Sequence, residues 1–343
     1  MKSTSAGSDA ANASQKSSTE IIQEFTEEEE KNRAAKRRKG NDGVVLTEES
    51  EYGERVNWVK KYDATGLVPY YTHISEVPEH LHKYFHQRKR FFSLYSTPPG
   101  CLFDEEGWYS VTPELLANQI AERCRCDTIL DAFCGVGGNA IAFAKTCQRV
   151  IALDVSPTRL ALARHNAQIY GVADRIEFIL ADYISFAKSY QSRLDSSTSK
   201  DRRKVDVVFL SPPWGGPAYL SGTMSESLDQ EKVLPIPSES SESLEYPSYS
   251  LFSIQPIHGT QLFDLTRKIT KNIAYYLPRN TRLDEIGVLL SEEGARTAGS
   301  PQNPQPPSVI DEKVEVEEEW MGNKLKALTC YFGGLVSGQE AMF

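Results

Sequence analysis

A glycine-rich run and a double proline followed by tryptophan mark the two places in this chain where chemistry is concentrated. The first run is Asp131-Ala132-Phe133-Cys134-Gly135-Val136-Gly137-Gly138-Asn139. Its glycines let the backbone turn sharply and approach a ligand closely. A helix opening at its end offers free N–H donors. Asp154 follows about 20 residues later, where a carboxylate can accept both ribose hydroxyls of an adenosyl ligand. Asp182 comes after the next apolar run, where a side chain can accept from an adenine amine. A G-x-G alone fits NAD, FAD and S-adenosylmethionine (AdoMet) sites alike. Two details favour AdoMet. Asp131 stands just before the loop, suited to the amino group of a methionine moiety. The loop also lacks the third glycine of a dinucleotide fingerprint. The competing reading is a purely structural glycine turn.

The second run is Ser211-Pro212-Pro213-Trp214-Gly215-Gly216-Pro217. It resembles the [NDS]-P-P-[YFW] motif of methyltransferases that act on planar amino groups. An exocyclic amine conjugated to a ring is a poor nucleophile, so it must be held in line with the sulfonium methyl at near-attack distance. Paired prolines stiffen the loop, so that its carbonyl and Ser211 can fix the amine. Trp214 offers a flat platform, and tryptophan is the best aromatic partner for a cation. A 7-methylated guanine is cationic, and that charge also eases proton loss from the ring. No histidine adjoins the motif, so no general base is assigned. An aromatic packed into a loop core is the alternative for Trp214.

These runs need a scaffold that brings them together. Apolar runs predict strands at Thr128–Phe133, Val150–Leu153, Ile176–Leu180, Val205–Leu210 and Ile273–Leu277. Helical patterns fall over Asn139–Cys147, Pro157–Tyr170, Thr260–Lys271 and Leu283–Leu290. The alternation predicts an α/β fold with a doubly wound, mostly parallel sheet. Val314–Trp320 and Lys324–Phe332 flank Met321-Gly322-Asn323 and read as a C-terminal antiparallel hairpin. This is the class I (Rossmann-like) AdoMet-dependent methyltransferase arrangement. Both runs then lie at the carboxyl edge of the sheet, where open α/β folds bind ligands.

Upstream, residues 51–125 read as a small helical extension contributing to the pocket, ahead of a methyltransferase domain over 126–335 and a tail over 336–343. The segment His82–Phe92 carries Lys83, Arg88, Lys89 and Arg90 without an acid, interleaved with four aromatics. It reads as a helix with a phosphate-attracting face, or as an ordinary amphipathic helix. Thr112 is expected to cap a helix with Pro113 at its first position. Residues 1–50 are polar, with the composition of a disordered tail. There Lys36-Arg37-Arg38-Lys39 is an import signal, an RNA contact, or charge balancing Glu27–Glu30. Low-order stretches at 189–204, 221–256 and 291–308 read as mobile loops.

Composition bounds the function. The 343 residues carry a net charge of −9, which argues against non-specific coating of nucleic acid. No apolar run approaches the roughly 20 residues of a membrane helix. The six cysteines have no zinc spacing and read as reduced thiols of an intracellular protein.

Taken together, GWYSVTPE, DAFCGVGGNAIAFA, IALDVSPTRLALARHNAQIYG, VVFLSPPWGGPAY, ITKNIAYYLPRN and NKLKALTCYFG resemble the trimethylguanosine synthases, the cap hypermethylases of eukaryotic small nuclear and nucleolar RNAs. The resemblance runs from about Lys83 to Leu335, and the short N-terminal region is of the fungal type. It implies two successive N2 methylations of a 7-methylguanosine cap by AdoMet, giving a 2,2,7-trimethylguanosine cap and S-adenosylhomocysteine. It implies that Ser110, Thr112, Asp131, Phe133, Gly135, Asp154 and Asp182 hold AdoMet. Trp214 stacks on the base, with Ser211 and Pro212 at the reacting amine. Lys83, Arg279 and Asn280 contact the cap phosphates, and Phe92 helps close the pocket. No metal is expected. A nuclear monomer is implied, acting in the nucleolus or nucleoplasm on capped small RNAs, with Sm or snoRNP core proteins as candidate partners. The stretches 221–256 and 291–308 are longer than the family pattern. The rival readings are an amino methyltransferase acting on internal guanine N2 or adenine N6, a non-catalytic cap-binding or RNP-assembly protein and, more distantly, an NAD-dependent dehydrogenase.

Overall fold

The computed structural model describes residues 59–196, 204–216, 247–297 and 312–343. The basic cluster at 36–39, most of the 221–256 stretch and residues 298–308 lie outside the described residues. Seven strands form one sheet: β1 (Thr128–Asp131), β2 (Arg149–Asp154), β3 (Ile176–Leu180), β4 (Val207–Leu210), β5 (Ile273–Pro278), β6 (Glu315–Met321) and β7 (Lys324–Phe332). Their spatial order is β3-β2-β1-β4-β5-β7-β6. β1 through β5 pair in parallel, while β7 runs antiparallel between β5 and β6. β4 and β5 are buried at every position, as strands covered on both faces must be. The order reverses between β1 and β4, and that switch point opens a crevice at the carboxyl edge.

The α-helices are α1 (His82–Phe85), α2 (Arg88–Phe91), α3 (Glu105–Ser110), α4 (Glu114–Arg123), α5 (Gly138–Thr146), α6 (Pro157–Ile169), α7 (Tyr183–Ser196), α8 (Gly259–Arg267) and α9 (Leu283–Thr297). One core layer joins the N-terminal extension, α4, α5 and α6 to one face of the sheet, and a second joins α7 and α8 to the other. Phe92, Tyr95, Phe103 and Trp108 are all buried in the first layer. Their rings interlock, Phe103 stacking on Trp108 at 4.4 Å. Aromatics of that size bury about 150–250 Å² each, so this cluster fastens the extension to the sheet domain.

Four local expectations change. The basic segment is two short helices rather than one. The break at Gln87 lets Phe85, Phe91 and Phe92 all reach the core, which a single straight helix would spread over two faces. Pro113, in extended conformation, is itself the N-cap of α4, and no side chain caps that helix. Thr112 instead accepts a hydrogen bond from Asn139 Nδ2 at 3.0 Å. Helix α7 occupies 189–196 of a stretch expected to be a loop, and α9 continues through 291–297. Helix α3 was not foreseen. It is capped by Asp104, whose Oδ1 accepts from the Gly107 amide at 2.8 Å, a capping turn hidden among acidic residues. No helix of the described residues is long and apolar enough to cross a membrane.

Candidate active site

A cavity of about 280 Å³ opens at the switch point. Seven of the expected residues line it: Ser110, Thr112, Phe133, Gly135, Asp154, Asp182 and Ser211. They come from α3, the loop before α4, the end of β2, and the loops after β1, β3 and β4, so residues spread over a hundred positions meet in one space.

The wall after β1 is built by backbone geometry. Gly135 and Gly137 have φ of +52° and +93°, a region that side chains oppose. A Cβ on Gly137 would also stand 3.1 Å from the Ala163 Cα of α6. Asp154 locks this loop from the end of β2. Its Oδ2 accepts from the Gly135 amide at 3.0 Å and its Oδ1 from the Ser156 amide at 2.8 Å. Each oxygen keeps a second lone pair for a ligand hydroxyl. Asp182 is half-buried, and its Oδ2 accepts from the Ser185 amide at 2.9 Å, capping α7.

Asp131 lies just behind the wall. It is fully buried, and neither carboxylate oxygen has a hydrogen-bond partner. Burial pushes its carboxyl up to about 7, the nearby Phe133 amide pulling the other way and the Asp154 charge adding to the rise. A buried, unsatisfied carboxylate is costly unless a donor or cation meets it. Asn139 Oδ1 is likewise buried without a partner. An ammonium-bearing ligand fits this pair of unsatisfied acceptors.

Two charged wall residues escaped the sequence reading. Arg159 of α6 bonds Asp104 Oδ2 through Nε at 2.9 Å and pairs with Glu106 of α3. Glu106 and Arg159 both line the cavity. The only signal was Asp104 in a capping position, and it depended on recognising α3.

Past β4 the loop crosses the cavity mouth. Ser211 and Pro213 line the cavity, while Pro212 is buried behind them. The Pro213 carbonyl accepts from the Gln255 amide at 3.3 Å, which brings Gln255 and Pro256 into the wall. Trp214 is half-buried outside the cavity lining, its ring 5.3 Å from that of Tyr276 on β5 and inclined by 33°. The Trp214 carbonyl accepts from the Tyr249 hydroxyl at 3.3 Å. Trp214 therefore presents an aromatic surface next to, not inside, the cavity.

The remaining expected residues are more dispersed. Lys83 is exposed, its ammonium 4.8 Å from the centre of the Tyr84 ring. Tyr84 in turn lies 6.2 Å from Tyr109, whose ring is 3.8 Å from the Cβ position of Gly216. Arg279 donates to the Leu325 carbonyl at 3.3 Å. Asn280 donates from Nδ2 to the Pro247 carbonyl at 2.6 Å, leaving its buried Oδ1 without a partner. Phe92 is not in the cavity wall. It is 1% exposed, between Phe103 and Tyr170, and serves the core.

Comparison with known proteins bears on this arrangement. The RNA cap guanine-N2 methyltransferase family matches over residues 126–243 and 233–335. A trimethylguanosine synthase of Schizosaccharomyces pombe is 36% identical over 215 residues, covering 61% of this chain and 75% of that protein. The Saccharomyces cerevisiae protein of the same name is 32% identical over 211 residues, covering 60% of this chain and 57% of that protein. A tRNA (guanine(10)-N2)-dimethyltransferase of Methanothermobacter thermautotrophicus is 35% identical over 105 residues, covering 31% and 27%. The matched stretches include the loop after β1, Asp154, the Ser-Pro-Pro-Trp turn and the β5 end, so the chain belongs to the RNA cap guanine-N2 methyltransferase family.

Proposed function

We propose that this protein converts a 7-methylguanosine cap on small nuclear and nucleolar RNAs to the 2,2,7-trimethyl form by two successive transfers from AdoMet. The observation that carries the reading is the shared cavity. The nucleotide-type wall after β1 and the Ser211–Pro213 turn face one space, with the Trp214–Tyr276 pair beside it.

AdoMet supplies an electrophilic methyl group on a sulfonium. The protein's own residues do the positioning. Asp131 and Asn139 supply unsatisfied acceptors for the amino end, and Asp154 receives the ribose hydroxyls. Asp182 faces the adenine, while Ser110, Thr112, Phe133 and Gly135 complete the wall. Ser211 and Pro212 hold the guanine N2 toward the methyl, while Trp214 carries the ring. The cationic ring strengthens that stack by about 0.5–2 kcal/mol. The N2 nitrogen bonds to the incoming methyl as the carbon–sulfur bond breaks, and an N2 proton leaves for solvent. The base's own positive charge favours that loss, so catalysis is mostly orientation. Lys83, Arg279 and Asn280 contact the cap phosphates. The protein acts as a monomer in the nucleus, without a metal, with snRNP or snoRNP proteins delivering the RNA.

The test is mass analysis of 7-methylguanosine diphosphate and guanosine diphosphate, each incubated with protein and AdoMet. Gains of one and then two methyl groups on the first alone are expected. Gain on neither, with AdoMet still bound, overturns the cap reading in favour of internal RNA guanines.

A further inference from the structure

The β6–β7 hairpin carries a second group of charges that the cap reading leaves unused. Opposite Glu319 stands Ala327, but opposite the next residue, Trp320, stands Leu325. Lys326 is therefore the extra residue of a β-bulge, a device that re-aims a side chain out of the regular alternation. Lys326 is half-buried. Burial holds its pKa below the usual lysine range, and Lys324, Arg90 and Arg279 lower it further. Arg279 follows Pro278, which pairs with Ala327, and bonds the Leu325 carbonyl. Arg90 belongs to α2, and α4 packs against both α2 and β6, bringing the basic segment to the hairpin's side.

Arg90, Lys324 and Lys326 form no ion pair with any described carboxylate. A half-buried lysine beside three other cations is unfavourable until an anion joins it. The direction of the group is informative. From the Trp214–Tyr276 pair it runs past Arg279, the residue assigned to the cap phosphates, toward the hairpin turn. Lys324 lies about 10 Å beyond Ala327 at the usual rise of a strand. A row of cations leading away from the cap is what the phosphates of a single-stranded nucleic acid need.

We propose that Arg90, Lys324 and Lys326 form the track for the first phosphodiesters of the RNA body, beyond the cap's own phosphate bridge. The proposal rests on the cap reading, and the experiment separates the two. Binding of 7-methylguanosine diphosphate and of capped oligonucleotides of one to six residues is measured against salt concentration, together with methylation of the diphosphate. Each phosphate neutralised on a single strand steepens the slope of log K against log salt by about 0.7. The wild type should gain a slope of about 2 between the diphosphate and the capped hexamer, from three cations. The double variant Arg90→Ala, Lys324→Ala should lose about 1.4 of that slope and about tenfold in hexamer affinity. Its methylation of the diphosphate should be unchanged. Arg90→Lys with Lys324→Arg should restore the slope, which a folding defect would not allow.

An unchanged hexamer slope in the alanine variant overturns the track. So does a parallel loss on the diphosphate, which would place these residues at the cap itself. Loss of binding to poly-glutamate, with no length dependence on RNA in the wild type, would assign the surface to an acidic protein instead. If the wild type does not methylate the diphosphate at all, the cap reading fails, while the length dependence still reports on the track.

Discussion

The half of the site after β1 and the half after β4 are built in different ways. After β1, one short stretch of chain does most of the work. Asp154 holds Gly135 and Ser156 through backbone amides, positive-φ glycines shape the turn, and Asp131 waits unsatisfied behind it. After β4, the surface is assembled from residues far apart in sequence, joined by backbone and side-chain contacts alike. Trp214 rests on Tyr276, Pro213 on Gln255, and Asn280 on Pro247. The first half is preorganised by the backbone, so its geometry tolerates little change. The second is held by packing, so specificity can shift with single side chains. Damage to one half should then spare the other, and that separation can be broken experimentally.

The largest effect is expected from Trp214→Ala. Losing a stacked cationic base costs about 2 kcal/mol, roughly 30-fold in cap affinity. A displaced amine adds about a hundredfold in rate for an ångström of misplacement. Cap methylation should fall more than a thousandfold in steady-state assays, effectively to nothing. AdoMet affinity by calorimetry should stay within about twofold. A matching collapse of AdoMet binding would show that the two halves are one structural unit.

Asp131→Asn attacks the other half. Truncating one member of a buried charge pair costs about 2–4 kcal/mol, or roughly 30- to 1,000-fold in AdoMet affinity. Binding of the 7-methylated cap analogue alone should be unchanged. The ligand-free variant should also melt higher than the wild type, since the substitution removes a desolvated carboxylate. If the melting temperature falls instead, Asp131 has a structural partner in the free protein and is not reserved for the ligand.

The first half was more legible in sequence than the second for this reason. Strand, glycine turn, helix and carboxylate lie within one βαβ unit, so local spacing fixes their geometry. Asp131, Gly135 and Asp154 are found where that spacing puts them. Tyr276 under Trp214, Gln255 on Pro213 and the Arg159–Glu106 pair depend on which strands are neighbours, and no local pattern encodes that. Thr112 shows the intermediate case. Its position beside the cavity was readable, but its partner Asn139, 27 residues away, replaced the helix cap that local chemistry favours. Phe92 shows the opposite, a side chain to which the family resemblance gave a place closing the pocket while aromatic packing claimed it.

A smaller effect sharpens the comparison through pH. Asp131 has a folded pKa raised from 3.8 to about 7. A raised carboxyl means that the folded chain binds the proton more tightly than the unfolded one. Stability of the ligand-free protein should therefore fall as pH rises from about 4 to 7 and level off above that. AdoMet binding needs the charged form, so its affinity should rise across the same window and flatten above about 7. In Asp131→Asn both slopes should shrink. A pH profile of AdoMet affinity that is flat in the wild type would mean the amino group is met by another acceptor.

The smallest effect comes from the second buried carboxyl, Glu319, on the hairpin. It is fully buried, accepts from Thr329 Oγ1 at 2.5 Å and leaves Oε2 without a partner. Burial pushes it up to about 7 against the pull of the Thr329 hydroxyl, with Glu317 adding to the rise and Arg123 opposing it. Glu319 shares Asp131's sign of pH dependence but not its place, because it is not in the cavity wall. Glu319→Gln should therefore raise stability by on the order of 1–2 kcal/mol at pH 8 and by almost nothing at pH 5, where the wild-type group is already neutral. Saturating AdoMet should remove Asp131's share of the wild-type pH slope and leave that of Glu319 intact. Should AdoMet erase the Glu319 share as well, the hairpin and the cofactor wall communicate, and the two halves are coupled through the sheet rather than merely adjacent.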